Sequence, residues 1–496
     1  MEVNPPFVRS IDIIKGKCWI MPKTLISGRY IIKNGCKFPY ISFLSPANQF
    51  PKYKRWCHFN MDLTTLALIG IVAMIVLVFM GMNLGVAMFL VGFVGYYLAT
   101  GNIMKSMQLF QTVPFSTASG YTLAVIPLFI VMGEFALQSG MSKGLYDACE
   151  RWLGKLPGGL CLATIVSCGL FGAICGSSSA AVATMGKLSI PEKRKYNYDI
   201  GFSAATVATG GTLSWLIPPS TGFILYGITA SVSVGRLFAA GIIPGVLLML
   251  AYMLAAIIVC KRNPSLAARG QSYPLKERLR SLLGLIPIVA LFGIVIGGMF
   301  SGIFSSSEAA AIGAFISVIY ALVRRRLTFK SFIDRMASTL KSTLMIFQLM
   351  MGAYVFGYFL TITHLPQNLA ASIAAMNVHR LVVIGLMFVL YILIGMFMDT
   401  LSAVLITIPI FYPIVINLGF DPVWFGVVIV LVMVLGTITP PIGINLFIAV
   451  TLDKELNLMS IYKNVAPYCV ALVIVTLIVI FFPQLSVWLP NLIYNA

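Results

Sequence analysis

The chain has 496 residues, 59% of them hydrophobic and only 10% charged, with a mean hydropathy of +0.95. Soluble domains carry about one-quarter charged residues, so this composition excludes a soluble protein and points to a polytopic membrane protein. The net charge of +19 does not indicate nucleic acid, because the charges sit in short connectors between apolar runs, as the positive-inside rule describes.

Residues 1–60 differ from the rest. They hold ten Lys/Arg against Glu2 and Asp12 and contain no spanning run and no signal-peptide pattern. A start-like Met61 precedes the first apolar run, so the leader is expected to be non-native or disordered.

Apolar runs of spanning length, about a dozen and some of them broken, recur from Leu63 to Leu485. They are not short alternating strands, so the expected fold is all-α. Cys161, Cys168 and Cys175 repeat every seven residues, read here as small packing residues because no His or carboxylate joins them.

Basic connectors follow at Lys143–Lys155, Lys187–Lys195, Lys261–Arg280 and Arg324–Lys341. Two spans separate the second connector from the third (Ile200–Ala230, Leu237–Cys260) and two more separate the third from the fourth (Leu282–Phe300, Glu308–Val323). All these connectors are therefore expected on the cytoplasmic side. The stretch 158–190 lies between two basic connectors and contains "GAICGSSSAAVATMG". A re-entrant hairpin, turning at Gly176–Ser179, keeps both connectors inside.

Sliding the sequence against itself reveals a repeat at an offset of 222. Pro191 meets Pro413, Asp199 meets Asp421, Ala181 meets Ala403, and Pro218–Pro219 meets Pro440–Pro441. Ser177 lands on Asp399. Each half thus carries an interrupted apolar hairpin (158–190, 381–415) and then a span broken by a double proline (200–230, 423–450). The halves are 61–280 and 281–496, and parity makes them inverted. Paired broken segments in inverted repeats point to a transporter site at the bilayer midplane.

At that site, Ser177 can cap the returning half-helix, whose N-terminus favours an anion. Carbonyls near Gly210–Gly211 and Pro218 suit a hard cation such as Na⁺. Assigned to sodium are Gly176, Ser177, Gly210, Gly211, Pro218, Asp399, Thr437, Thr439, Gly443 and Asn445. Assigned to an anionic solute are Ser178, Ser179, Pro219, Ser220, Thr400, Ser402 and Pro440. The plainer readings are back-bonding serines, Gly-x-x-x-Gly packing and a capping role for Asp399. Glu134 and Glu308 read as structural, and His364 and His379 as surface residues flanking a short amphipathic stretch.

These segments resemble the large membrane subunit of tripartite ATP-independent periplasmic (TRAP) transporters. The resemblance runs from Met61 onward through "GAICGSSSAAVATMG", "IPEKRKYNYDIGFSAA", "LIPPSTGFILYG", "LFAAGIIPGVLL", "MFMDTLSAVLITIPIFYPI" and "GTITPPIGINLF". It departs at the leader and at "GIFSSSEAAAIGAF", where the family pattern has Thr-Pro-Thr before Glu308. It implies an elevator-type, Na⁺-driven importer of an organic anion such as a C4-dicarboxylate, sialic acid or sugar acid. It also implies a small four-helix membrane subunit, a periplasmic substrate-binding protein and a bacterial or archaeal plasma membrane, with no organic cofactor. The alternatives are a self-sufficient divalent-anion/sodium symporter and, more remotely, an intramembrane serine hydrolase. The latter needs a base within reach of a tip serine.

Overall fold

The computed structural model describes residues 62–267, 271–375 and 378–494. The expected leader therefore lies outside the described residues. Helices account for most of them, and no strand occurs among them.

The first helices are α1 (Leu63–Phe79), α2 (Leu84–Thr100), α3 (Ile103–Ser119), α4 (Val125–Ser139) and α5 (Met141–Leu153). Asn83 and Asn102 cap α2 and α3, each side chain accepting a first-turn N–H. The first interrupted hairpin is α6 (Gly159–Cys175) with α7 (Ser178–Lys195). The first broken span is α8 (Ile200–Thr212) with α9 (Thr221–Thr229), followed by α10 (Val234–Arg262).

The next elements are α11 (Leu275–Ser281), α12 (Ile286–Phe300), α13 (Ser306–Val323), α14 (Phe329–Ile362) and α15 (Leu365–Ala375). Ser305 and Glu308 form a capping box at the start of α13, which gives Glu308 the structural role expected of it. His379 accepts the Leu381 N–H and begins the second hairpin, α16 (Arg380–Phe397) with α17 (Thr400–Asn417). The second broken span is α18 (Pro422–Ile438) with α19 (Ile444–Val450). The described chain closes with α20 (Leu458–Phe481) and α21 (Gln484–Tyr494).

Among the described residues the roughly dozen apolar runs resolve into seven helices long and apolar enough to cross a bilayer, or eight if the pair bent by 46° before α12 is one span. The apolar helices α1, α2, α6 and α18 are shorter, at 17 residues each. A helix that is apolar all round belongs inside a protein. So α18, buried from Val423 to Ile438, is a central rod. Its counterpart α8 is buried from Gly201 to Thr212 and is rich in Gly, Ala, Ser and Thr, which lets neighbouring backbones approach closely.

The contacts repeat in both halves. The rod α8 packs against both arms of its hairpin, α6 and α7, and α18 packs against α16 and α17. The second piece of each broken span crosses to the other half: α9 lies on α17, and α19 lies on α7. A separate group forms around α14, which packs on α2, α3 and α4, while α13 packs on α4 and α12. The helices linking this group to the hairpins also correspond, since shifting α5 by 222 gives 363–375, over α15.

Candidate functional site

Helix α6 ends where Gly176 turns left-handed (φ +59°), its N–H bonding Gly172 O at 2.8 Å. Ser177 is extended, and its hydroxyl accepts the Ala180 N–H at 3.4 Å, capping α7 as its sequence position suggests. The break therefore spans only Gly176 and Ser177, while Ser178 and Ser179 already belong to α7. The first broken span holds this tip in place. Thr221 Oγ1 donates to Gly176 O at 2.7 Å, while Ser220 Oγ donates to Trp215 O at 2.5 Å and caps α9.

In the second half Asp399 is extended and its carboxylate accepts the Leu401 N–H at 3.1 Å, capping α17. No lysine or arginine among the described residues forms an ion pair with it. The second break runs from Thr439 to Gly443, with Gly443 at φ +62°. Thr437 and Thr439 donate to their own helix, at Val434 O and Leu435 O. Tyr462 OH bonds Pro441 O.

Asn445 joins the halves. It is buried, and its Nδ2 donates to Ser178 Oγ at 2.7 Å, to Ala208 O at 3.3 Å and to Thr437 Oγ1 at 3.4 Å. A side chain of the second broken span thus binds the first hairpin tip and the first rod at once.

A cavity of about 300 Å³ opens where the two tips meet. Ser177, Ser178 and Ser179 line it from the first hairpin, and Asp399 and Thr400 from the second, together with Thr437 and Asn445. The N-termini of α7 and α17 therefore face the same space, and both carry partial positive charge. The remaining sequence candidates surround the cavity without lining it. Gly210 sits against Cys168, with room of only 3.0 Å for a Cβ, and a Cβ at Gly211 would come within 3.1 Å of Ser178 O. Both serve the close packing of α8. Gly176, Pro218, Pro219, Ser220, Ser402, Thr439, Pro440 and Gly443 lie in or beside the breaks.

The sequence reading missed Trp215 and Thr221 of the first broken span and, on the opposite wall, Glu134 of α4 with Ser342 of α14. Thr221 directly follows the Pro-Pro-Ser motif, which could have flagged it. Removing its hydroxyl tests the tip's anchorage. Thr221→Val should lower the stability of the fold by about 1 kcal/mol through the loss of one hydrogen bond, read by heating followed by size-exclusion chromatography. An unchanged unfolding midpoint would show that the tip is held by packing alone.

An interrupted hairpin and a broken span in each half, with both hairpin tips at one cavity inside an apolar helical bundle, fit a multi-pass permease of the transporter type. The chain belongs to the family described as "Tripartite ATP-independent periplasmic transporter, DctM component", which it matches over residues 71–485. It is a multi-pass protein of the bacterial inner membrane. It is 34% identical over 387 residues to the isethionate TRAP transporter permease DctMQ of Oleidesulfovibrio alaskensis, covering 76% of this chain but only 59% of that relative's length. With the C4-dicarboxylate large permease DctM of Pseudomonas aeruginosa it shares 33% identity, over 76% of this chain and 88% of the relative. The ectoine/5-hydroxyectoine large permease UehC of Ruegeria pomeroyi is 30% identical, over 85% and 98% respectively. Among solved structures, the YdaH transporter of Alcanivorax borkumensis superposes with a TM-score of 0.58 at 18% identity, over 76% of this chain and 88% of that one, a likeness of fold.

Proposed function

We infer that this chain is the transport-carrying large subunit of a TRAP system that imports a solute with an acidic group, coupled to sodium. Isethionate, C4-dicarboxylates and ectoine, the solutes in the relatives' names, share such a group. In this reading a small four-helix membrane subunit braces the chain and a periplasmic binding protein delivers the solute. The observation that carries it is the meeting of both hairpin tips in one cavity, tied through Asn445 and Ser178. Each hairpin re-enters the membrane from its own side, so the breaks meet at mid-depth, where irregular backbone is tolerated only around a cavity.

The chemistry follows from the lining. Hydroxyl and carbonyl oxygens suit Na⁺, a hard cation. Asp399, an intramembrane carboxylate without a basic partner among the described residues, gains a counter-charge when sodium arrives. Sodium and two helix N-termini then offset the charge of an incoming anion. The body formed by α6–α10 and α16–α21 carries the site, and the group around α14 is the wall it moves against in an elevator cycle.

The test is uptake into proteoliposomes holding the chain with its small subunit, with and without the binding protein, under an imposed sodium gradient. Accumulation should require both the gradient and the binding protein. Ser178→Ala and Asp399→Asn should each cut the rate at least tenfold, by roughly 1.4 kcal/mol or more, while insertion is retained. Wild-type rates in both variants would remove the site; sodium-driven uptake without the binding protein would make the chain a self-sufficient symporter.

A further inference from the structure

The lining of the cavity has an unexpected charge balance. It contains two carboxylates, Glu134 and Asp399, and no lysine, arginine or histidine. An acidic solute entering such a space needs a cation, and sodium at Asp399 leaves the other carboxylate to be answered.

The answer stands behind Glu134. Its Oε1 accepts from Ser338 Oγ at 2.9 Å, and its Oε2 from Arg335 Nη1 at 3.1 Å. Arg335, Ser338 and Ser342 are spaced i, i+3 and i+7, so they form one stripe on α14, and Ser342 already lines the cavity. Seven residues of helix put Arg335 about 10 Å along the axis from Ser342. The guanidinium holds Glu134 through a single nitrogen, not the two-pronged grip that arginine and carboxylate can form. Its Nε is buried with no hydrogen-bond partner. The side chain is 35% exposed and so has room to move. A buried donor left unsatisfied favours an arrangement that supplies an acceptor.

We propose that Arg335 is the cationic determinant of solute choice on the fixed wall, exchanging its bond to Glu134 for the acidic group of the solute. Glu134 is the stand-in anion that holds the guanidinium until the solute arrives. This rests on the anion-transport reading and names the group that reads the anion. The exchange conserves charge: the Arg335–Glu134 contact breaks, the Arg335–solute contact forms, and Ser338 keeps the released carboxylate hydrogen-bonded. Discrimination between anionic and neutral solutes then arises on the wall, while sodium coupling stays with the hairpins.

The cavity holds a native reporter, Cys175, which lines it beside Ser177. In the full-length chain, peptide-level mass spectrometry can follow its reaction with anionic 2-sulfonatoethyl methanethiosulfonate and with the cationic trimethylammonium-ethyl analogue. In each case the thiolate attacks the reagent's sulfenyl sulfur, forms a mixed disulfide and expels methanesulfinate. The ratio of the two rates reports the sign of the local field and cancels accessibility. Arg335→Gln should lower the anion-to-cation ratio about threefold to tenfold, Glu134→Gln should raise it by a similar factor, and Arg335→Lys should stay near wild type. Ser179→Cys supplies a second reporter on the same lining. Ratios within twofold of wild type in both neutral variants would overturn the proposal, as would failure of either reagent to reach either reporter. Sodium-gradient uptake by the wild type is measured in parallel. Its absence would remove the transport reading, whereas intact uptake with unmoved ratios would remove Arg335 alone.

Discussion

Replacing Asn445 by alanine should abolish solute uptake and lower the unfolding midpoint in detergent by several degrees. Asn445 Nδ2 is the donor for Ser178 Oγ and Ala208 O and also lies at 3.4 Å from Thr437 Oγ1. Its removal leaves the buried Ser178 hydroxyl without a partner, at about 1–3 kcal/mol, while Ala208 O and Thr437 Oγ1 keep bonds within their own helices. It also leaves a small void beside a hairpin tip whose position defines the cavity. Ser178→Ala should be milder for stability, because the amide keeps Ala208 O as acceptor. Asn445→Asp should be the most severe of the three. A carboxylate of the same shape turns the donor into an acceptor facing the Ala208 carbonyl, where no proton lies between the oxygens. The order Asp, then Ala, then Ser178→Ala is checked by uptake and by heating followed by size-exclusion chromatography. Transport by Asn445→Asp at the wild-type rate would show that the two halves are not held together here.

Much of this arrangement is legible in the chain because helix breakers cannot be hidden in an apolar run. Pro218–Pro219 and Pro440–Pro441 fall at one register, and the structure breaks both spans there, between Trp215 and Thr221 and between Ile438 and Ile444. The tips at Gly176–Ser177 and Asp399 follow from the same offset. What a self-comparison does not carry is which pieces touch. It aligns α9 with α19 but does not show that each lies on the hairpin of the other half, so Asn445 reads only as a sodium candidate and not as the partner of Ser178. Charge also misled at α14. The span reads from Ser342 because Lys330, Arg335 and Lys341 precede it, yet the helix begins at Phe329. The early turns that looked like a basic connector carry Arg335 to Glu134, and 201 residues separate that pair. Glu134 reads as structural because it lies near a span end, and its position on the cavity wall needs the fold.

The second large effect is expected at the contact between a hairpin arm and its rod. In the second half α16 crosses α18 at Gly395 and Gly436; a Cβ at Gly436 would stand 2.6 Å from both Cα and C of Gly395. In the first half the corresponding approach is Gly172 against Ser214, where a Cβ would lie 2.6 Å from Ser214 Cα and Cβ. Backbone atoms at these distances cannot swing away as side chains can, so one whole helix must move. Such overpacking costs about 1–3 kcal/mol for an alanine and more for a branched side chain. In lipid, close small-residue packing is the main attraction between helices, so little else restores the contact. Gly436→Val should therefore push α16 off its rod, displace Asp399 from the cavity and eliminate uptake, with Gly436→Ala intermediate. Gly385→Ala is the control, because nothing lies within 4 Å of a Cβ there and a helical alanine stabilises by up to about 1 kcal/mol. Gly172→Ala should fall between Gly385→Ala and Gly436→Val, since the Ser214 hydroxyl can rotate while its Cα cannot. If Gly436→Val matched the control in both heat stability and uptake, hairpin position would not depend on this crossing, and the second tip would have to be placed by α17 alone.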